Sequence, residues 1–178
     1  MLKKEFVLDI DYKRYTEGIS RALQHFYHYP QGVGFIKLRK DGNGEIVGWE
    51  IDNEKCEMSD CDNFLRVDEA VKKHRDGWHF NFFTYHFQPD NNDDVEPLHQ
   101  YRIDLDKTSL HANPDDLLEY PPHMEYPEHL ILNIEKFNLA AALYCANHYQ
   151  KTKKYPLKQE YGEEYNGLIE TTYKGVKR

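Results

Sequence analysis

The run Trp78–Gln88, WHFNFFTYHFQ, is the feature that most restricts what this chain can fold into. Aromatic residues occur at both odd and even positions, so neither face of a strand built from it can be left to water. Two-sided burial of this kind belongs to a central strand with neighbours on both edges. An acidic loop, QPDNNDDVEP, follows between Pro89 and Pro97. Residues 98–106 then supply a partner strand. Tyr101, Ile103 and Leu105 point to one face, and Gln100, Arg102, Asp104 and Asp106 to the other. One face is core; the other is a row of polar and charged groups.

Other elements arrange themselves around this pair. KEFVLDI at 4–10 reads as a short strand or lead-in. Asp11 is placed to cap a helix, because its carboxylate can accept free first-turn amides. Tyr12, Tyr15, Ile19, Leu23 and Phe26 then recur at helical spacing, predicting a helix over 12–27 that Pro30 and Gly32 end. Gly18 weakens that helix without ending it. Residues 33–40 and 45–52 flank Asp41-Gly-Asn-Gly44, which predicts a β-hairpin. Residues 53–63 are polar and loop-like. Cys56 and Cys61 stand there, spaced for a zinc site with His74 or His79, or as two ordinary thiols. Val67, Ala70, Val71 and His74 share one side of a short helix over 64–76.

Residues 107–129 contain Pro114, Pro121, Pro122 and Pro127 and read as an ordered irregular loop over the polar strand face. The strongest helical stripe comes next: Ile134, Phe137, Ala141, Tyr144 and His148, widened by Ala140 and Leu143. Asn133 is the candidate cap of this helix, over 134–150. The expected architecture is a single α+β domain over 1–150, a mainly antiparallel sheet packed against two or three helices. Residues 151–178, with Lys151, Lys153, Lys154 and Lys158, form a C-terminal extension, either a partner-binding arm or a mobile tail.

Composition limits the function. A net charge of -8 disfavours a general nucleic-acid coating protein, yet it allows one local basic site. No run approaches a membrane span, and MLKKEFVLDI lacks an apolar signal core. Three cysteines suggest no disulfide framework, and a reducing, cytoplasmic compartment is the simplest expectation.

Trp78 to His129 holds six of the ten histidines together with Arg102, Asp104 and Asp106. Arg102 offers a permanent planar fork suited to phosphate. His111 and His123 can act as acid and base near neutral pH, with Asp104 orienting one of them. Such a set could cleave RNA without a metal or other cofactor, the arginine stabilising the charged phosphorane. His86 could reach Gln100 or Arg102 across a hairpin, whereas His79, an odd number of residues away, should face the other side. Tyr85 and Tyr101 are candidates for contact with substrate through their rings. Two other readings remain open. His86, His111 and Asp104 could form a two-histidine, one-carboxylate metal set, although no diagnostic ligand spacing is present. Alternatively, the histidines hydrogen-bond loop carbonyls, and an aromatic groove binds a protein or peptide in a non-enzymatic protein.

The pieces Tyr85-His86-Phe87-Gln88, Arg102-Ile-Asp104, His111, Pro122-His123 and His129 resemble the TumE-like toxins of bacterial toxin–antitoxin systems. The resemblance spans roughly residues 78 to 130. In that family an Asn follows the Asp directly and a close-set histidine comes next; here Leu105 follows Asp104 and His111 comes later. The resemblance implies a small single-domain ribonuclease-type toxin, an RNA substrate, and restraint by a cognate antitoxin protein.

Overall fold

A computed structural model describes residues 7–8, 11–28, 33–89, 101–106, 109–114, 124–126, 128–129, 132–133, 135–154 and 159–174. The elements in chain order are β1 (Val7–Leu8), α1 (Tyr12–Phe26), β2 (Lys37–Lys40), β3 (Ile46–Glu57), β4 (Asn63–His74), β5 (Gly77–Pro89), β6 (Tyr101–Leu105), β7 (Leu110–Pro114), β8 (Met124–Glu125), α2 (Leu139–Thr152) and α3 (Gln159–Lys174). Strands β2 to β8 lie side by side in sequence order, all antiparallel. The fold is the α+β arrangement expected. Among the described residues no helix is long and apolar enough to cross a membrane.

β5 is the centre of the sheet, as its aromatic density requires. It pairs with β4 along its length, with β6 over Phe83–Phe87, and with β1 at Trp78 and His79. Its inward residues Phe83, Tyr85 and Phe87 are buried with Ile103 and Leu105 of β6 and Leu65 and Val67 of β4. Phe83 and Tyr85 stack at 4.6 Å, and both meet Phe137 from the helical layer. Burying each such large side chain contributes roughly 1.5–3 kcal/mol.

Residues 64–76 are not a helix. Up to His74 they belong to β4, paired antiparallel with β3 on one edge and β5 on the other, with one register shift in each ladder. Val67 and Val71, four apart, share a face in a helix and in a strand alike, so that spacing did not discriminate. What decides is the row Leu65, Val67, Glu69, Val71, all buried at period two. β3 likewise runs on to Glu57 through the stretch expected to be loop. Part of the irregular 107–129 region forms β7 and β8. Leu110-His-Ala-Asn alternates apolar and polar, and Asp106 accepts from the Ser109 amide at 2.9 Å to close the β6–β7 turn.

β5 also carries a bulge. Ala70 pairs with Phe82 but Val71 pairs with Phe80, which leaves Asn81 as an extra residue. Above it the odd-numbered residues face inward; below it Phe80 and Trp78 do, against Phe83 and Trp49. His79 therefore lies on the same sheet face as His86, not the opposite one. It serves the β4–β5 hairpin, with Nε2 2.8 Å from Asp76 Oδ1 and its ring 4.5 Å from that of His74.

The helices cover the inward face. Asp11 caps α1 as expected, accepting from the Arg14 amide at 2.9 Å. Gly18 has a packing purpose: a Cβ there would stand 3.0 Å from Ala140 Cβ, so its absence lets α1 and α2 approach closely. α2 starts later than expected, with Asn138 rather than Asn133 as cap; its side chain accepts from the Ala140 and Ala141 amides. Asn133 is engaged by α3 instead, its amide donating to Asn166 Oδ1 at 2.6 Å. α2 is buried on nearly all sides, which its alanine-rich sequence permits. The extension beyond residue 150 carries α3, whose Tyr165 and Ile169 are fully buried.

Candidate functional site

Two neighbouring rungs of the sheet put the polar residues of the central stretch together. On one, Arg66, His86, Arg102 and Asn113 stand opposite one another across β4, β5, β6 and β7. On the next, Asp68, Thr84, Asp104, His111 and Glu125 do the same out to β8. Directly opposed residues share a face, so both rungs lie on the side away from the helices. Alternation of β6 puts Ile103 and Leu105 into the core and Arg102 and Asp104 onto this polar face.

Asp104 is the hub. It is only 4% exposed. Its Oδ2 lies 2.7 Å from Arg102 Nε, 3.5 Å from His111 Nε2 and 3.3 Å from Asn113 Nδ2, which donates to it. Its Oδ1 is buried and accepts no hydrogen bond from the described residues. The other nitrogen of His111, Nδ1, stands 3.4 Å from Ser109 Oγ. A buried carboxylate beside an imidazole can fix the orientation of its ring. Arg102 keeps about a third of its side chain in solvent, 36%, so its guanidinium is reachable by an anion.

Of the residues singled out from sequence, Arg102 and His111 each meet Asp104. His86 stands opposite Arg102 in register and is buried. Tyr85 does not belong to the site. It is fully buried on the inward face, and its hydroxyl donates to Glu69. Adjacent strand residues point to opposite faces, so Tyr85 and His86 cannot meet the same ligand. Tyr101 pairs with Phe87 at backbone level. His123 lies outside the described residues. Ser109 and Asn113 were not singled out; the alternation that follows the Asp106 turn was the available signal.

The metal reading finds no support here. Among the described residues no three metal-ligating side chains converge. Cys56 is buried in the core, where desolvation pushes its thiol well up, and it forms no site with Cys61, His74 or His79. Cys61 instead lines an open polar cleft of about 470 Å³ beside His28, Asp60 and Asp62.

One buried acid escaped sequence reasoning entirely. Glu69 is inside the core, 0% exposed, and its carboxylate accepts from Trp49 Nε1 at 2.8 Å, from the Tyr15 and Tyr85 hydroxyls, and from the Leu139 amide at the start of α2. Burial raises its pKa, while these donors oppose the rise. It faces the helices, on the opposite side of the sheet from Asp104.

The chain matches no protein-family model, no curated protein and no solved structure.

Proposed function

We propose that the protein is a toxin-like endoribonuclease that cleaves RNA by metal-free acid–base chemistry at the Arg102–Asp104–His111 cluster. The observation that carries this reading is the convergence of a partly exposed arginine and an imidazole on one buried carboxylate. Arg102 holds the phosphate and offsets the charge of the phosphorane. His111, oriented by Asp104, takes the proton of the ribose 2′-hydroxyl as its oxygen attacks phosphorus. The leaving oxygen receives a proton from a second histidine, and His86 and His123 are the candidates. The products are a cyclic phosphate and a free hydroxyl, with no net change in electrons.

The aromatic-groove alternative has less support among the described residues. Among the described residues the aromatics are largely core, and only Leu38 and Phe82 are exposed large apolar side chains. The resemblance of Arg102-Ile-Asp104 and His111 to the TumE-like toxins adds a cognate antitoxin as partner. Three free cysteines suit the reducing, cytoplasmic setting of such a toxin.

Labelled RNA incubated with the purified chain in chelator is the test. Cleavage leaving cyclic phosphate ends is expected, and His111→Ala should lower it about a hundredfold or more with the thermal midpoint retained. Absence of cleavage, dependence on added metal, or full activity in His111→Ala overturns the proposal.

A further inference from the structure

We infer that Phe82 is a stacking platform for an unpaired base next to the scissile phosphate, which makes single-stranded RNA the substrate class; the inference rests on the ribonuclease reading above. Of the phenylalanines and the tyrosine in the run 80–87, Phe80, Phe83, Tyr85 and Phe87 are buried, whereas Phe82 is 43% exposed. The register gives the direction of its side chain. Phe82 pairs with Ala70, two places from the Asp68–Thr84 pair and four from Arg66–His86. It therefore shares the polar face with Asp104 and His111. The Asn81 bulge stands immediately before it. Bulges re-aim side chains beside functional sites, and this one keeps Trp78 and Phe80 in the core while Phe82 points out.

Distance fits a flanking nucleotide. Thr84 pairs with Asp104, so Phe82 is the diagonal neighbour of Asp104, about 8 Å away between backbones. From the His111 position on β7 the separation is about 12 Å by the same strand spacing. A base adjoining a phosphate held by Arg102 can lie on the Phe82 ring. A base inside a duplex is already stacked on both sides and cannot.

The experiment uses the full chain and a short, non-cleavable 2′-O-methyl RNA carrying a fluorescent adenine analogue. Binding should quench the analogue. Phe82→Ala should abolish the quench and weaken binding about tenfold or more, the scale of one lost base–aromatic stack. Phe82→Trp should restore both, and the thermal midpoint should not fall in either variant. If Phe82→Ala binds within about twofold of wild type with the quench intact, the stacking role is overturned while the ribonuclease reading stands. If the wild-type chain neither binds this RNA nor cleaves its unmodified counterpart, both fall together.

Discussion

The indole Nε1 of Trp49 donates to the carboxylate of Glu69 across β3 and β4, at 2.8 Å. That bond is one of four ending on a single buried acid. Tyr15 brings in α1, Tyr85 brings in β5, and the Leu139 amide brings in the start of α2. The carboxylate thus ties both packed layers together. Glu69→Ala would strand several buried donors at once, each costing about 1–3 kcal/mol when unsatisfied. We expect a loss of at least about 3 kcal/mol in denaturant unfolding, with no new ligand binding to account for it.

Glu69 should also leave a mark on the pH dependence of stability. Burial is the largest influence on it and raises its pKa above the ordinary carboxylate range. The folded chain therefore holds that proton more tightly than the unfolded chain. The stability this contributes is complete below the ordinary carboxylate range and is lost as pH rises through the raised value. Glu69→Gln removes this dependence. Its wild-type-minus-variant stability difference should shrink as pH rises, measured by thermal unfolding from acid to neutral. A difference that grows with pH would mean the ionised form is the favoured one.

Gly48 should tolerate no side chain. It lies buried in β3, and a Cβ there would stand 2.6 Å from the Val71 carbonyl oxygen on β4. Backbone must shift to admit it. Gly48→Ala should cost about 1–3 kcal/mol, read in the same unfolding assay.

Asn138 is the cap that sets where α2 begins. Asn138→Ala should lower stability by about 1 kcal/mol, and Asn138→Asp should recover most of it because a carboxylate can accept the same two amides. Equal loss in both variants would assign the effect to burial of Asn138 rather than to capping.

At the proposed site, Arg102→Lys keeps the charge but loses the fork. RNA turnover should fall about tenfold or more while the fold persists, since Lys can still pair with Asp104. Asp104→Asn should reduce turnover and alter its pH profile together, because the group orienting His111 changes. Unchanged profiles would leave Asp104 as a structural acid only.

The sequence makes part of this site readable and hides part of it. The alternation in residues 98–106 places Arg102 and Asp104 on one face, and the hairpin with β5 places His86 opposite Arg102. His111 opposite Asp104 was hidden because β7 is short and sits among prolines that read as loop. Glu69 was hidden because an acid within Val67–Val71 fits a solvent-facing helix position; only its four donors, drawn from distant segments, make it a core residue. The shift of α2 from Asn133 to Asn138 came from competition between two good caps, decided by contact of Asn133 with α3.

The unpaired Asn81 has a consequence for how this chain can change length. The two halves of β5 are written in opposite reading frames of side chains, one serving β1 and the other serving β6. Removing that one residue would leave plain alternation along the whole strand, with Phe83, Phe80 and Trp78 still inward and Phe82 and His79 still outward, because Phe82 and Phe80 already pair with consecutive residues of β4. Elsewhere in the paired strand a shift of one residue inverts the frame. The bulge is the place where the central strand can lose a residue without changing phase.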